Sequence, residues 1–243
     1  MTQLTLPIEL PPSYAADDFV ADSSNEEALR WLRDPTRWPS WRLVLAGPTG
    51  TGKTHLLHAT AASRGWDVLR GPDLRGSGPG GLPPLPERGV ALDEADLPAE
   101  EEALFHLMNA CNEARLPLLM AAPRPPSRWR VTLPDLRSRL AATAVALLDE
   151  PSDALLAALL AKQFSDRQLQ LAPGLLDAIR LRLPRSAASM AEAAARLDRA
   201  SLISGRRLTR SDAMAVLRPL FDDDSTTSAE GVSDAALSSS LLL

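Results

Sequence analysis

The chain has 243 residues, of which 45% are hydrophobic and 23% charged, the balance of a soluble globular protein with one large domain or two modest ones. A net charge of −5 argues against a general polyanion binder, and the single cysteine, Cys111, excludes a disulfide framework or a cysteine-rich metal site. No apolar run approaches the ~18 residues of a membrane span, and the N-terminus has neither a basic start nor an apolar signal core, so the expected location is cytoplasmic, away from membranes.

Residues 1–22 read as an irregular, flexible segment, with Pro7, Pro11 and Pro12 interrupting any helix. A short helix is expected from Asn25 to Arg33, with Ser23 or Ser24 as its cap. Arg42–Ala46 reads as a buried strand, Lys53–Ser63 as a helix and Trp66–Leu69 as a weaker strand. Residues 71–88 are crowded with Gly and Pro and read as a loop. Val90–Leu92 is a short strand ending in acids, Glu100–Ala114 a helix, and Pro117–Ala121 and Thr143–Leu148 two further strands. Strands alternating with helices predict an α/β domain over 23–150, with a parallel sheet covered on both faces. Residues 151–221 carry helices alone. Ser152 caps one that runs to Phe164, Pro173 opens another that ends before Pro184, and Ser186–Ile203 and Ser211–Leu217 complete the set. Residues 222–243 form an acidic, Ser-rich tail expected to be disordered.

Gly47-Pro-Thr-Gly-Thr-Gly-Lys-Thr54 fits the phosphate-loop pattern G-x-x-x-x-G-K-[ST]. Gly47, Gly50 and Gly52 let backbone N–H groups turn inward around phosphate oxygens, and the helix that follows adds its positive end. Lys53 brings a compact charge on a flexible stem, and Thr54 a hydroxyl for Mg²⁺. Of the 26 cationic side chains only Lys53 and Lys162 are lysines, so a lysine stands here where a planar arginine would be too wide. The competing reading is a plain Gly-rich turn between strand and helix. Asp93, just after the Val90–Leu92 strand, can hold Mg²⁺ through water, and Glu94 can orient a hydrolytic water; an acidic turn after any strand would look similar. The segment Leu133–Leu140 places Arg137 and Arg139 where either can project from a subunit edge toward a neighbour's phosphate, or simply decorate an amphipathic helix. The N-terminal Gln3-Leu-Thr-Leu-Pro-Ile8 is an apolar peptide able to anchor in a partner's groove, or a stray first strand. His55, His58 and His106 form no ligand set, and Trp31, Trp38, Trp41 and Trp66 read as core anchors.

In this order the motifs resemble the AAA+ ATPases related to DnaA, and more closely the Hda family of regulators. The resemblance covers residues 3–220. Asp18-Phe-Val20 with Asn25-Glu-Glu-Ala28 is similar to the family segment that lines the adenine, which adds Phe19, Val20 and Asn25 to the nucleotide site. Pro123-Arg-Pro-Pro126 is similar to the family's D-R-P-P, and Leu133-Pro-Asp-Leu-Arg-Ser-Arg-Leu140 resembles the arginine-finger segment, with Arg139 in the finger position. Ala195-Arg-Leu-Asp-Arg-Ala200 and Arg207-Leu-Thr209 look like the end of the family's helical lid. The peptide containing Gln3, Leu4, Leu6, Pro7 and Ile8 resembles the one that binds the sliding clamp. The chain stops after the lid, without the initiator's DNA-binding domain, so no sequence-specific DNA binding is expected.

The resemblance therefore implies a P-loop AAA+ core with ADP or ATP and Mg²⁺ held between core and lid. It also implies a regulator that, tethered to the clamp, promotes hydrolysis of DnaA-bound ATP through Arg139; homo-oligomers are a further expectation. Two departures point to weak intrinsic hydrolysis. Ala121, Ala122 and Pro123 stand where the family has a polar sensor, and Ser189 stands in place of a second-sensor arginine. The alternative is a self-contained AAA+ ATPase of the helicase-loader or transposition-helper type, with Glu94 essential to its own turnover; a nucleotide-binding scaffold without hydrolysis is a third reading.

Overall fold

The computed structural model describes residues 20–76, 87–169 and 174–222. Five parallel strands form one sheet in the order β2-β3-β4-β1-β5. In chain order they are β1 (Arg42–Ala46), β2 (Asp67–Arg70), β3 (Val90–Asp93), β4 (Leu118–Ala122) and β5 (Ala144–Leu147). The eight helices assigned among the described residues are α1 (Glu26–Arg33), α2 (Lys53–Arg64), α3 (Glu101–Ala114), α4 (Pro134–Ala141), α5 (Asp153–Asp166), α6 (Leu175–Arg180), α7 (Ala187–Ser204) and α8 (Arg210–Asp222). Short 3₁₀ turns, unforeseen in the sequence, cover Pro35–Arg37, Pro39–Trp41, Gly71–Asp73 and Pro126–Arg128. Three of the four start on a proline, whose fixed φ suits a tight turn.

The central strands β1 and β4 are buried along their whole length, which their unbroken apolar runs require. On one face Val44, Leu92, Leu118 and Met120 pack with Leu104, Met108 and Cys111 of α3 and Leu136 and Leu140 of α4. On the other, Leu43, Leu45, Ala91 and Leu119 pack with Leu56 and Leu57 of α2 and Ala28 and Leu32 of α1. Trp38 and Trp66 meet edge to face here, with ring centroids 5.9 Å apart, so these two are core anchors. Trp31 and Trp41 are half-buried.

Several boundaries differ from the expected ones. Asn25, not Ser23 or Ser24, precedes α1, and its amide caps no helix N–H. It turns back instead, with Nδ2 donating to the Val20 carbonyl at 3.0 Å and Oδ1 accepting from Asp22 N–H at 3.0 Å. The 71–88 stretch is not loop throughout, since Gly71–Asp73 forms a turn; residues 77–86 lie outside the described residues. Helix α6 ends at Arg180, before Pro184 as expected, and its expected opening at Pro173 lies outside the described residues. Helix α8 runs past Pro219 to Asp222, because Ala213, Leu217 and Leu220 keep a continuous buried stripe that outweighs the missing proline N–H. Ser152 and Ser186 do cap α5 and α7, accepting from Leu155 N–H and Ser189 N–H, each at 3.0 Å.

The chain divides into two compact units, Met1–Ala158 and Leu159–Leu243. The first holds the sheet and its covering helices. In the second, α7 and α8 pack on one another, and Met190, Ala193 and Leu197 of α7 and Ala213 and Leu217 of α8 are buried. No helix among the described residues is long and apolar enough to cross a membrane.

Candidate functional site

The Gly47–Gly52 loop joins the end of β1 to the start of α2, in the strand-turn-helix setting its sequence requires. Gly50 and Gly52 have φ of +85° and +91°, left-handed values that a side chain would strain. Gly47 is glycine for a different reason: a Cβ there would stand 2.2 Å from the Leu148 carbonyl oxygen. No side chain caps α2 at Gly52, so the first-turn N–H groups of that helix remain open to an anion. This uncapped, glycine-built concavity fits phosphate oxygens.

Lys53 folds back over the loop, donating to the Pro48 carbonyl at 2.6 Å and to Thr51 Oγ1 at 3.4 Å. Burial pulls its ammonium below the ordinary lysine value, and the charges of Asp93 and Asp96 pull it back up. Lysine and acids thus share one electrostatic neighbourhood at the carboxyl ends of β1 and β3. Thr54 is exposed on the first turn of α2, with its hydroxyl available to a cation.

Asp93 closes β3, and its Oδ1 accepts from Glu94 N–H at 2.9 Å. Glu94 has φ +52°, an unusual value for a residue with a side chain, and its carbonyl packs where a Cβ on Gly71 would stand, 2.1 Å away. The Glu94 carboxylate is engaged by Arg70, at the end of β2, with Nη2–Oε2 2.8 Å. Among the described residues no three His, Cys, Asp or Glu side chains converge as a metal cage. Mg²⁺ bound mainly by phosphates and water needs only one or two protein oxygens, which Thr54 and Asp93 can supply.

Asp96 was not singled out in the sequence. It lies two residues past Glu94, within electrostatic range of Lys53, Arg124 and Glu94, and burial pushes its carboxyl above the usual range. The side chain is half-buried and its own backbone N–H eases the carboxylate, but the Oδ1 atom is buried with no hydrogen-bond partner. The repeated acid in Asp93-Glu-Ala-Asp96 was the available signal. At the end of β4, Ala121 and Ala122 are buried and Pro123 is exposed, so no polar side chain stands there.

Arg139 lies near the C-terminal end of α4, half-buried, with its guanidinium over the Phe105 ring at 5.1 Å. No carboxylate pairs with it among the described residues, and the charge next to it is that of buried Arg42. Arg137 is exposed and donates to the Val131 carbonyl. Val20 is half-buried, with its carbonyl held by Asn25. Phe19 and the peptide residues Gln3, Leu4, Leu6, Pro7 and Ile8 lie outside the described residues, as does the 223–243 tail. In the second unit, Ser189 is tied into the α7 cap, its hydroxyl 2.7 Å from that of Ser186.

Neither the known family models nor the curated proteins contain a match to the chain. Solved structures do. Domain III of the Thermotoga maritima replication initiation protein DnaA superposes with a TM-score of 0.70 at 18% identity, covering 88% of this chain and 99% of that one. DnaA from Aquifex aeolicus, bound to AMPPCP, gives 0.62 at 17% identity over 81% of this chain and 68% of that one. A variant of Thermotoga maritima RuvB gives 0.63 at 18% identity over 86% and 72%. The fold is that of an AAA+ P-loop domain. Within the AAA+ fold, the loop after β1 and the acids after β3 come together because β4 alone separates β1 from β3 in the sheet.

Proposed function

We propose that this chain is an AAA+ regulator of replication initiation that binds adenine nucleotide and the sliding clamp and promotes hydrolysis of DnaA-bound ATP. The observation that carries this reading is an imbalance between two sites. In the chain's own site Glu94 is held by Arg70 and the end of β4 offers Ala122 and Pro123, so little is placed to drive turnover. Arg139, by contrast, is oriented by Phe105 and meets no acid among the described residues. The likeness to DnaA structures, one of them bound to AMPPCP, supports the choice of adenine nucleotide and of a DnaA-related partner.

In this reading Gly47, Gly50 and Gly52 present backbone N–H groups to the nucleotide's phosphates. Lys53 leaves Pro48 to meet them, and Thr54 and Asp93 hold Mg²⁺. The metal supplies neutralisation of phosphate charge. Val20 and Asn25, with Phe19, border the base, and the helices of 151–221 form the lid. Gln3, Leu4, Leu6, Pro7 and Ile8 dock in the clamp. Arg139 then meets the terminal phosphate of the initiator's ATP and stabilises the charge that builds as water attacks and ADP leaves.

The test follows DnaA preloaded with labelled ATP, with this protein, DNA-loaded clamp and ADP omitted in turn. Conversion to ADP should require both the protein and the clamp. Arg139→Ala should lose stimulation by about 10³–10⁵-fold while clamp and nucleotide binding stay intact; normal stimulation by that variant would sink the finger role. A self-contained ATPase remains the second reading, because Lys53, Asp93 and Glu94 are all present. It requires turnover without DnaA that Glu94→Gln abolishes and that deletion of residues 1–7 leaves unchanged.

A further inference from the structure

The orphaned oxygen of Asp96 has a partner still to be assigned. The turn that carries it is pinned to β4, with Ala95 N–H donating to the Ala121 carbonyl at 2.9 Å. This pin brings Asp96 alongside the strand end where Ala122 and Pro123 offer no polar group. A buried carboxylate oxygen without a hydrogen bond loses its hydration and gains nothing, unless a donor arrives. The cations around it do not supply one: Lys53 is bonded to Pro48 and Thr51, and Arg124, though in electrostatic range, makes no hydrogen bond to it. An ionised carboxylate accepts hydrogen bonds and repels phosphate, so the group it suits is a donor that travels with the nucleotide. Water in the shell of Mg²⁺ is such a donor, since Mg²⁺ gives up its waters reluctantly and polarises their protons.

We propose that Asp96 is a positioning residue for Mg-nucleotide, accepting a hydrogen bond from a metal-bound water and filling from the turn after β3 the place that the end of β4 leaves apolar. This rests on the nucleotide-binding reading above. Its reach goes beyond the loop, Thr54 and Asp93, because it ties metal affinity to a residue outside the direct ligands. Outer partners of this kind change metal affinity by about 10–100-fold when removed.

The experiment is calorimetric titration of the full chain with ADP, in millimolar Mg²⁺ and again in EDTA, for wild type, Asp96→Asn and Asp96→Glu. The expected result is that Asp96→Asn loses about tenfold or more of the affinity gained from Mg²⁺, while its affinity in EDTA stays level or improves. Mn²⁺ binding to the ADP complex, read by electron paramagnetic resonance, should weaken in parallel, and Asp96→Glu should recover part of it. The melting temperature without nucleotide should hold or rise, because the substitution removes the charge behind an oxygen that has no donor. An unchanged Mg²⁺ gain in Asp96→Asn overturns the proposal. So does equal weakening in both buffers with a lower melting temperature, which makes the residue structural. Wild type that binds no ADP in either buffer overturns the nucleotide reading itself and is distinct from both.

Discussion

At the scale of single residues, the phosphate loop depends on space as much as on conformation. Gly47 has no unusual torsion to protect, yet the Leu148 carbonyl occupies the place of its missing side chain. Gly47→Ala should therefore push the loop away from the residue that follows β5, lowering stability by roughly 1–3 kcal/mol and, under the proposed function, weakening nucleotide binding as well; thermal melts with and without ADP separate the two effects. The loop and the acidic pair were readable in the sequence because their chemistry is contiguous. The partners of those residues were not. Arg70 lies 24 positions from the Glu94 it holds, and Phe105 meets Arg139 only through the packing of two helices. The orphaned Asp96 oxygen is a property of packing too, so the sequence could show the acid but not its lack of a donor.

At the scale of elements, the start of α3 fixes the start of α4. Glu101 accepts from Thr132 N–H at 2.9 Å, Thr132 Oγ1 at 2.8 Å and Leu133 N–H at 2.7 Å, gathering the segment that leads into Arg139. Burial alone would raise the Glu101 carboxyl, but these donors outweigh it and hold it below the ordinary value of 4.5. A depressed folded-state value means that the tie is in force above the unfolded-state value and is lost as pH falls through the folded one. The protection of the Thr132 and Leu133 amides from exchange, measured against their intrinsic rates, should fall on acidification, and in Glu101→Gln it should be low already at neutral pH. Exchange unchanged by that substitution would show that packing, not the carboxylate, sets α4. Helix identities were legible from periodicity and caps, and α6 ends before Pro184 as expected, whereas α8 departs from its expected end. There the burial of Leu217 and Leu220 decides how far the helix runs.

At the scale of the whole molecule, the parallel sheet was legible from the alternation of strands and helices, and its strand order was not. Order depends on which strands pair, and β1 pairs with β4 and β5, both far along the chain. The sheet encloses Cys111, whose thiol burial pushes up to about 12, with Arg42 only partly offsetting the rise. Its reactivity is therefore a gauge of global opening. Alkylation at pH 8 should be slow in the folded protein and should accelerate in step with the loss of secondary structure on heating or in urea. Prompt labelling of folded protein would place a local opening at α3.

The position of β1 between β4 and β5 decides when the glycine loop after β1 is completed. The phosphate loop is made early in synthesis, yet its first glycine rests on Leu148, and Leu148 N–H donates to Ala46 at 2.8 Å. A nascent chain therefore has no finished cradle until the last strand has been made and has slid in beside the first. Under the proposed function, cellular nucleotide becomes a folding aid for that late step: free ligand at a hundred times its Kd adds about 2.7 kcal/mol to the completed sheet. Starvation for nucleotide would then thin the population of newly made protein before it altered the activity of the old.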